Sequence, residues 1–327
     1  MSDADACFEQ GMKHIGLSRH ADYHSEYVGD LEDAIACFDR ALALKPDHFD
    51  ALGEKGTALA ALGRHAEAAE ALAKAISLRP EITQLWLERA GALQHVGRHE
   101  EAIACCEETL RRRPGDADAM FCRAESLDAL RQDAAALSAW DDLLREGDLR
   151  TMNFHGRTVR MLGTDYRRLR ALLARAAVLA RLGREADAID AYRKSIDEGA
   201  SRDSSASDTF SAALATHQPA RTAYQAYIDS HGADPAVWRA AGSHFNRAGR
   251  TSDALAAYEH AIRLAPADPD GWIGKAEALV KSGQRTESLA AFREALRLKP
   301  GYLAASFRLE RVQKEIGRAQ SDAKGPG

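Results

Sequence analysis

Residues 235–300 read PAVWRAAGSHFNRAGRTSDALAAYEHAIRLAPADPDGWIGKAEALVKSGQRTESLAAFREALRLKP. The second half repeats the first at an interval of 34 residues: Pro235 returns as Pro269, Trp238 as Trp272, Gly249 as Gly283 and Pro266 as Pro300. A glycine in the middle of each copy tolerates a left-handed conformation and so ends one helix. Proline at the end of each copy stops the next. Each copy is therefore read as two helices that fold back on one another. They approach closely where small residues face each other, as Gly242 and Ala254 would, with large residues filling the space on either side.

The same interval extends over the rest of the chain. Pro46, Pro80 and Pro114 keep step, Asp148 stands where the next proline would fall, and Gly63 to Gly97 and Ala68 to Ala102 to Ala136 follow the same count. Several residue types sharing one period mark a repeat array rather than a single closed core, although 327 residues would otherwise suggest one or two ordinary domains. Composition agrees: 45% hydrophobic, 28% charged and only 6% aromatic, with abundant alanine, leucine, arginine and glutamate, favours helices over sheet.

An aromatic, a small residue and a second bulky residue, followed by alanine, an aromatic and proline, is similar to the tetratricopeptide repeat pattern. Trp238, Gly242, Phe245, Ala254, Tyr258, Ala261 and Pro266 fill these slots, and Trp272, Ala276, Leu279, Ser288, Phe292, Ala295 and Pro300 fill them again. The resemblance implies an all-α, right-handed superhelical solenoid over residues 1–319, with about eight helical hairpins. The repeats are read at 4–48, 49–82, 83–116, 117–148, 169–200, 201–234, 235–268 and 269–302. The first carries an insertion at 15–28, a second insertion spans 149–168, and the sixth repeat has an atypical serine-rich first helix. Leu303, Phe307, Val312 and Ile316 on one face of 303–318 suggest a capping helix that shields the last apolar surface, and 320–327 reads as a disordered tail.

Two insertions and five cysteines carry the residue types that could support chemistry. Residues 149–168 concentrate Arg150, Arg157, Arg160, Arg167 and Arg168 around Phe154 and other apolar residues, a composition able to grip an acidic partner or RNA. The plainer reading is an extra helical turn and connector with solvated arginines. His20 and His24 could share a helix face, but spacing fixes no third ligand, so no metal site is assigned. Cys105 and Cys106 sit together, yet Cys106 occupies the slot filled by Phe38 or Phe292 elsewhere, which reads as core. No cofactor is implied. Neither a nucleophile with its base nor a phosphate-cradling loop stands out, and the chain is read as no enzyme.

The resemblance further implies that the first helix of each hairpin lines a concave groove. In the first four repeats its ligand-facing slots include Asp50, Glu54, Leu87, Glu88, Asp118, Phe121, Glu125 and Asp128, an acidic set with apolar anchors. From the fifth repeat onward they include Arg170, Leu173, Arg181, Arg239, Ser243, Asn246, Arg247, Ile273 and Lys281, a basic set countered only by Asp270 and Glu277. The expected function is a protein-binding scaffold that steers an extended or helical segment of mixed charge. The alternative is an RNA-binding repeat protein using 149–168 and the basic half. A chaperone carboxylate clamp does not fit, because Glu54 and Glu88 stand where lysine and asparagine are required. The net charge of −5 disfavours bulk nucleic-acid binding. The acids in the first nine residues, and the lack of an apolar run of about 20 residues, lead to the expectation of a cytoplasmic protein outside the membrane.

Overall fold

The computed structural model describes residues 2–18, 24–146, 151–154, 157–160, 166–198 and 207–322. The chain is an all-α helical repeat in which most helices pack on the next in sequence. It divides into two compact units, Met1–Leu162 and Gly163–Gly327.

The N-terminal unit contains α1 (Asp3–Ser18), α2 (His24–Leu44), α3 (Phe49–Ala61), α4 (His65–Leu78), α5 (Thr83–His95), α6 (His99–Arg112), α7 (Ala117–Ala129) and α8 (Asp133–Glu146). A short antiparallel hairpin, β1 (Thr151–Phe154) and β2 (Arg157–Arg160), follows α8 and pairs Thr151 with Arg160 and Phe154 with Arg157. The C-terminal unit contains α9 (Tyr166–Arg181), α10 (Glu185–Asp197), α11 (Ser207–Thr216), α12 (Gln218–His231), α13 (Pro235–Arg247), α14 (Thr251–Leu264), α15 (Pro269–Lys281), α16 (Arg285–Leu298) and α17 (Leu303–Asp322).

Close approach of paired helices rests on the small residues that the period picks out. Ala90 and Ala102, Ala124 and Ala136, and Ala176 and Ala188 are wholly buried, and Ala254 faces a buried Gly242. The next slot holds the bulk of each repeat: Phe38, Leu72, Trp140, Tyr192, Tyr224 and Phe292 are at most 1% exposed. Cys106 fills that slot in its repeat and is likewise buried, meeting the Cys122 thiol of α7. That contact and burial push the Cys106 thiol above the ordinary range. All five cysteines are free.

The turn between paired helices uses one conformation in six of the repeats. Gly63, Gly97, Gly183, Gly249 and Gly283 have φ of 76°, 76°, 71°, 76° and 85°, a region that costs a residue with a Cβ about 1 kcal/mol or more. In the fourth repeat Arg131 takes this place at φ 57°. Successive repeats are tied by tryptophan: the indole N–H of Trp86 donates to the Pro80 carbonyl at 2.8 Å, Trp238 to Gly232 at 2.8 Å and Trp272 to Pro266 at 3.1 Å. Each bond reaches back to the end of the preceding repeat, which explains why tryptophan recurs at that slot.

Several expectations need correction. Residues 149–168 are not a helical turn and connector: the described part is the β-hairpin, and α9 begins at Tyr166, so Arg167 and Arg168 belong to the next helix. At 15–28 the extra residues lengthen α1 and α2, with Ile15 buried, while His20 lies outside the described residues. In the sixth repeat α11 forms but is only ten residues long, and His217 alone separates it from α12, whose Pro219 sits in the first turn. With no room for the usual turn, α11 and α12 barely pair; α11 packs chiefly on α13 and α12 on α10. The final helix runs to Asp322, so 320–322 are helical, and 323–327 lie outside the described residues. Its buried face is Ala305 and Val312, whereas Leu303 and Phe307 are 72% and 71% exposed, so these two do not share the shielding stripe.

One junction gives a pH dependence. The imidazoles of His65 and His95, from α4 and α5, stack with ring centroids 4.1 Å apart. Burial, then the neighbouring His95, depresses the proton affinity of His65 below the ordinary histidine value of 6.5. The unfolded chain therefore takes up this proton at higher pH than the folded one. The contribution is fully present above the ordinary value and is lost as pH falls toward the depressed one. The urea midpoint is expected to fall between about pH 7.5 and pH 5.5, and less steeply in His95→Gln. Equal slopes in both proteins would exclude this pair as the cause.

Candidate partner-binding surface

The charge on the first helices is sorted by a position that the sequence pattern did not single out. Lys55, Arg89 and Arg123 fall 34 residues apart, at the seventh place of α3, α5 and α7. Each turns toward an acid of a second helix: Lys55 to Asp39 of α2, Arg89 to Glu101 of α6 at 3.3 Å, and Arg123 to Asp142 of α8 at 3.8 Å. Lys275 of α15 repeats the arrangement with Glu259 of α14 at 2.9 Å. The seventh-place cations are thus spent on the second helices. The 34-residue spacing of a basic residue was the signal that could have revealed this.

The acids expected on the first helices lie at the remaining positions. Asp50 is exposed, and Glu54, Glu88, Asp118, Glu125 and Asp128 are half-buried. Glu88 also has a structural bond, accepting from the Thr57 hydroxyl of α3 at 2.9 Å and from Gln84 at 3.2 Å. A second link between first helices runs from Gln94 of α5 to Ser126 of α7 at 3.0 Å. Leu87 is half-buried, but Phe121 is 7% exposed and stands edge-on to Trp140 with centroids 5.3 Å apart. Phe121 is therefore core rather than an available anchor.

In the C-terminal unit the basic set is largely engaged within the chain. Arg239 pairs with Asp268 and with Asp270 at 3.6 Å, Arg247 lies 3.8 Å from Asp208, and Lys281 donates to the Asn246 carbonyl. Asp268 and Asp208 add to the countering acids read from sequence, while Glu277 pairs with Arg308 of α17. Ser243 bonds Tyr258, whose hydroxyl burial raises to about 12. Arg170 and Arg181 are half-buried on α9. Leu173 and Ile273, expected as anchors, are 1% and 8% exposed and belong to the core. Phe121, Leu173 and Ile273 fail as anchors because all three are buried in the packed interior.

Of the separate basic stretch, Arg150 lies outside the described residues, Phe154 is on β1, and Arg157 and Arg160 are on β2. Arg167 is half-buried at the start of α9, and Arg168 pairs with Glu198 of α10 at 2.8 Å. Arg167 and Arg168 thus belong to α9 and not to the hairpin. Among the described residues no group of three metal-ligating side chains occurs, and no helix is long and apolar enough to cross a membrane.

Comparison with known proteins gives matches to four models, each described as a tetratricopeptide repeat. One covers residues 26–82 and again 158–203, another 59–122, a third 235–278 and a fourth 269–302. No curated protein sequence matches the chain. Among solved structures, a tetratricopeptide repeat protein from Parabacteroides merdae is similar at 14% identity and a TM-score of 0.47, over 95% of this chain and 98% of that one. MamA from Desulfovibrio magneticus, residue 41 to its end, is similar at 17% identity and 0.47, over 62% and 99%. YrrB, a repeat protein with an unusual peptide-binding site, is similar at 17% identity and 0.34, over 74% and 99%.

Proposed function

The chain belongs to the tetratricopeptide repeat superfamily, and from that premise we propose that it is a non-catalytic scaffold whose acidic first helices hold a basic segment of another protein. The observation that carries this reading is the pairing of Lys55, Arg89 and Arg123 with second-helix acids. Asp50, Glu54, Asp118, Glu125 and Asp128 are the charged residues at the remaining positions of α3 and α7, all at least partly exposed, and give these helices a net negative sign. Clustered charge of one sign steers an oppositely charged segment and fixes its orientation, while affinity comes from apolar contacts such as Leu87. The basic set of the C-terminal unit contributes less, because Arg239 and Lys281 are already held by the chain itself.

The test is binding of a fluorescein-labelled peptide of lysine, arginine and leucine to the full chain, followed by anisotropy. Glu54→Lys with Asp118→Lys is expected to weaken binding about tenfold, equivalent to about 1.4 kcal/mol, and added salt to weaken the parent protein. Circular dichroism and the urea midpoint of the variant separate a packing effect from a binding one. Unchanged affinity in the doubly reversed chain would overturn the reading.

A further inference from the structure

We propose that the cleft between α12 and α14 binds an acidic peptide segment that carries an apolar side chain. This goes beyond the reading above, since it uses second helices, in the C-terminal unit, for a ligand of opposite charge. The space between α6 and α8 is the cleft's repeat counterpart in the N-terminal unit and serves as a control. In the N-terminal unit, α6 and α8 flank α7 around a space of about 580 Å³. Its walls carry Glu100, Glu107 and Asp142 against Arg123, which Asp142 already pairs at 3.8 Å. That cleft is acidic.

The space between α12 and α14, floored by α13, is larger at about 800 Å³. Its width follows from the sixth repeat: without the usual turn, α12 packs on α10 and touches α13 little. The floor is aromatic, formed by Trp238 and Phe245. Trp238 is fixed by its bond to Gly232 and by stacking on His260 at 4.0 Å. Such a volume accommodates a few side chains, with apolar burial on the floor and orientation set by polar groups on the walls.

The walls supply those groups. Arg250 is neutralised by Asp253 at 2.7 Å, and its guanidinium lies 5.0 Å from the centre of the Phe245 ring. Arg221 on α12 donates to the Gln218 side chain and to the carbonyls of Leu214 and Ala215. Arg263 on α14 donates to the His260 ring at 2.8 Å. Among the described residues, neither Arg221 nor Arg263 has a carboxylate within ion-pair distance. Two guanidiniums on facing walls with only neutral partners fit carboxylates, which they can engage through paired N–H donors. A continuous phosphate backbone calls for a long run of cations, whereas on these walls only Arg221 and Arg263 are without a carboxylate, so a short acidic peptide is favoured over nucleic acid.

The experiment titrates the full chain against a fluorescein-labelled peptide of glutamates around a central Leu-Phe pair. Saturable binding is expected, weakened about tenfold or more by Arg263→Glu and by Ala256→Trp, which narrows the cleft without changing charge. Ser138→Trp, in the acidic cleft, is expected to leave it unchanged. Helical content by circular dichroism verifies that each variant folds. Lack of saturation, equal weakening by Ser138→Trp, or equally tight binding of an oligothymidylate of the same length would each overturn the proposal. Failure here leaves the basic-peptide result standing, because the two assays use different probes and different residues.

Discussion

Gly274→Val is expected to lower the unfolding free energy by about 3 kcal/mol, the upper part of the range for overfilling a packed interior. A Cβ built at Gly274 in α15 would lie 2.2 Å from the Tyr258 ring, and one at Gly242 in α13 would lie 2.7 Å from it. The ring of Tyr258, 5% exposed, thus occupies space that two glycines on two helices leave open. It cannot retreat from one without striking the other. Valine adds methyl groups beyond the Cβ, and its gain in helix propensity over glycine, roughly a few tenths of a kcal/mol, is small beside the clash. Urea unfolding followed by circular dichroism measures the loss, and hydrogen exchange should place it in α13 to α16. Gly91→Ala is the matched control: nothing lies within 4 Å of its added Cβ, so it should gain about 0.5–1 kcal/mol. Combined with Tyr258→Ala, the valine should cost markedly less than in the parent chain, because the two changes share one contact. A neutral Gly274→Val would mean that the ring has another place to go.

Trp140→Ala is expected to cost about 3–5 kcal/mol, as for other fully buried large aromatics. Trp140 is 1% exposed, and it meets Phe121 of α7 edge to face at 83°. Its loss leaves a void between α7 and α8 that surrounding helices fill only partly. Phenylalanine should recover most of this cost. The Trp140 indole nitrogen has no hydrogen-bond partner among the described residues, so the smaller ring gives up area but no bond. The same urea experiment decides it. A Trp140→Ala loss below about 1 kcal/mol would show that α7 and α8 close over the gap.

These two outcomes separate what was legible in the chain from what was not. The period of 34 residues, carried by proline, glycine, alanine and tryptophan, determined that the chain is a helical repeat and which small and bulky residues pack between paired helices. That information is local: a turn needs its glycine and a close helix contact needs its alanine, wherever the rest of the chain goes. Cys106 could be assigned to the core for the same reason, since its slot, rather than its chemistry, set its place.

Only the tertiary structure decided which side chains remain available. Phe121, Leu173 and Ile273 occupy slots that the family pattern marks as facing a ligand, yet all three are buried in the packed interior. Lys55 and Arg89 are adjacent in sequence to Glu54 and Glu88, but one step around a helix turns them toward second-helix acids. The hairpin at 151–160 and the displaced α12 likewise arise where the period fails, so no repeat template could place them. A repeat pattern fixes how each hairpin folds because its contacts are short-range. Burial and charge pairing depend on the next hairpin along, which only packing brings into reach.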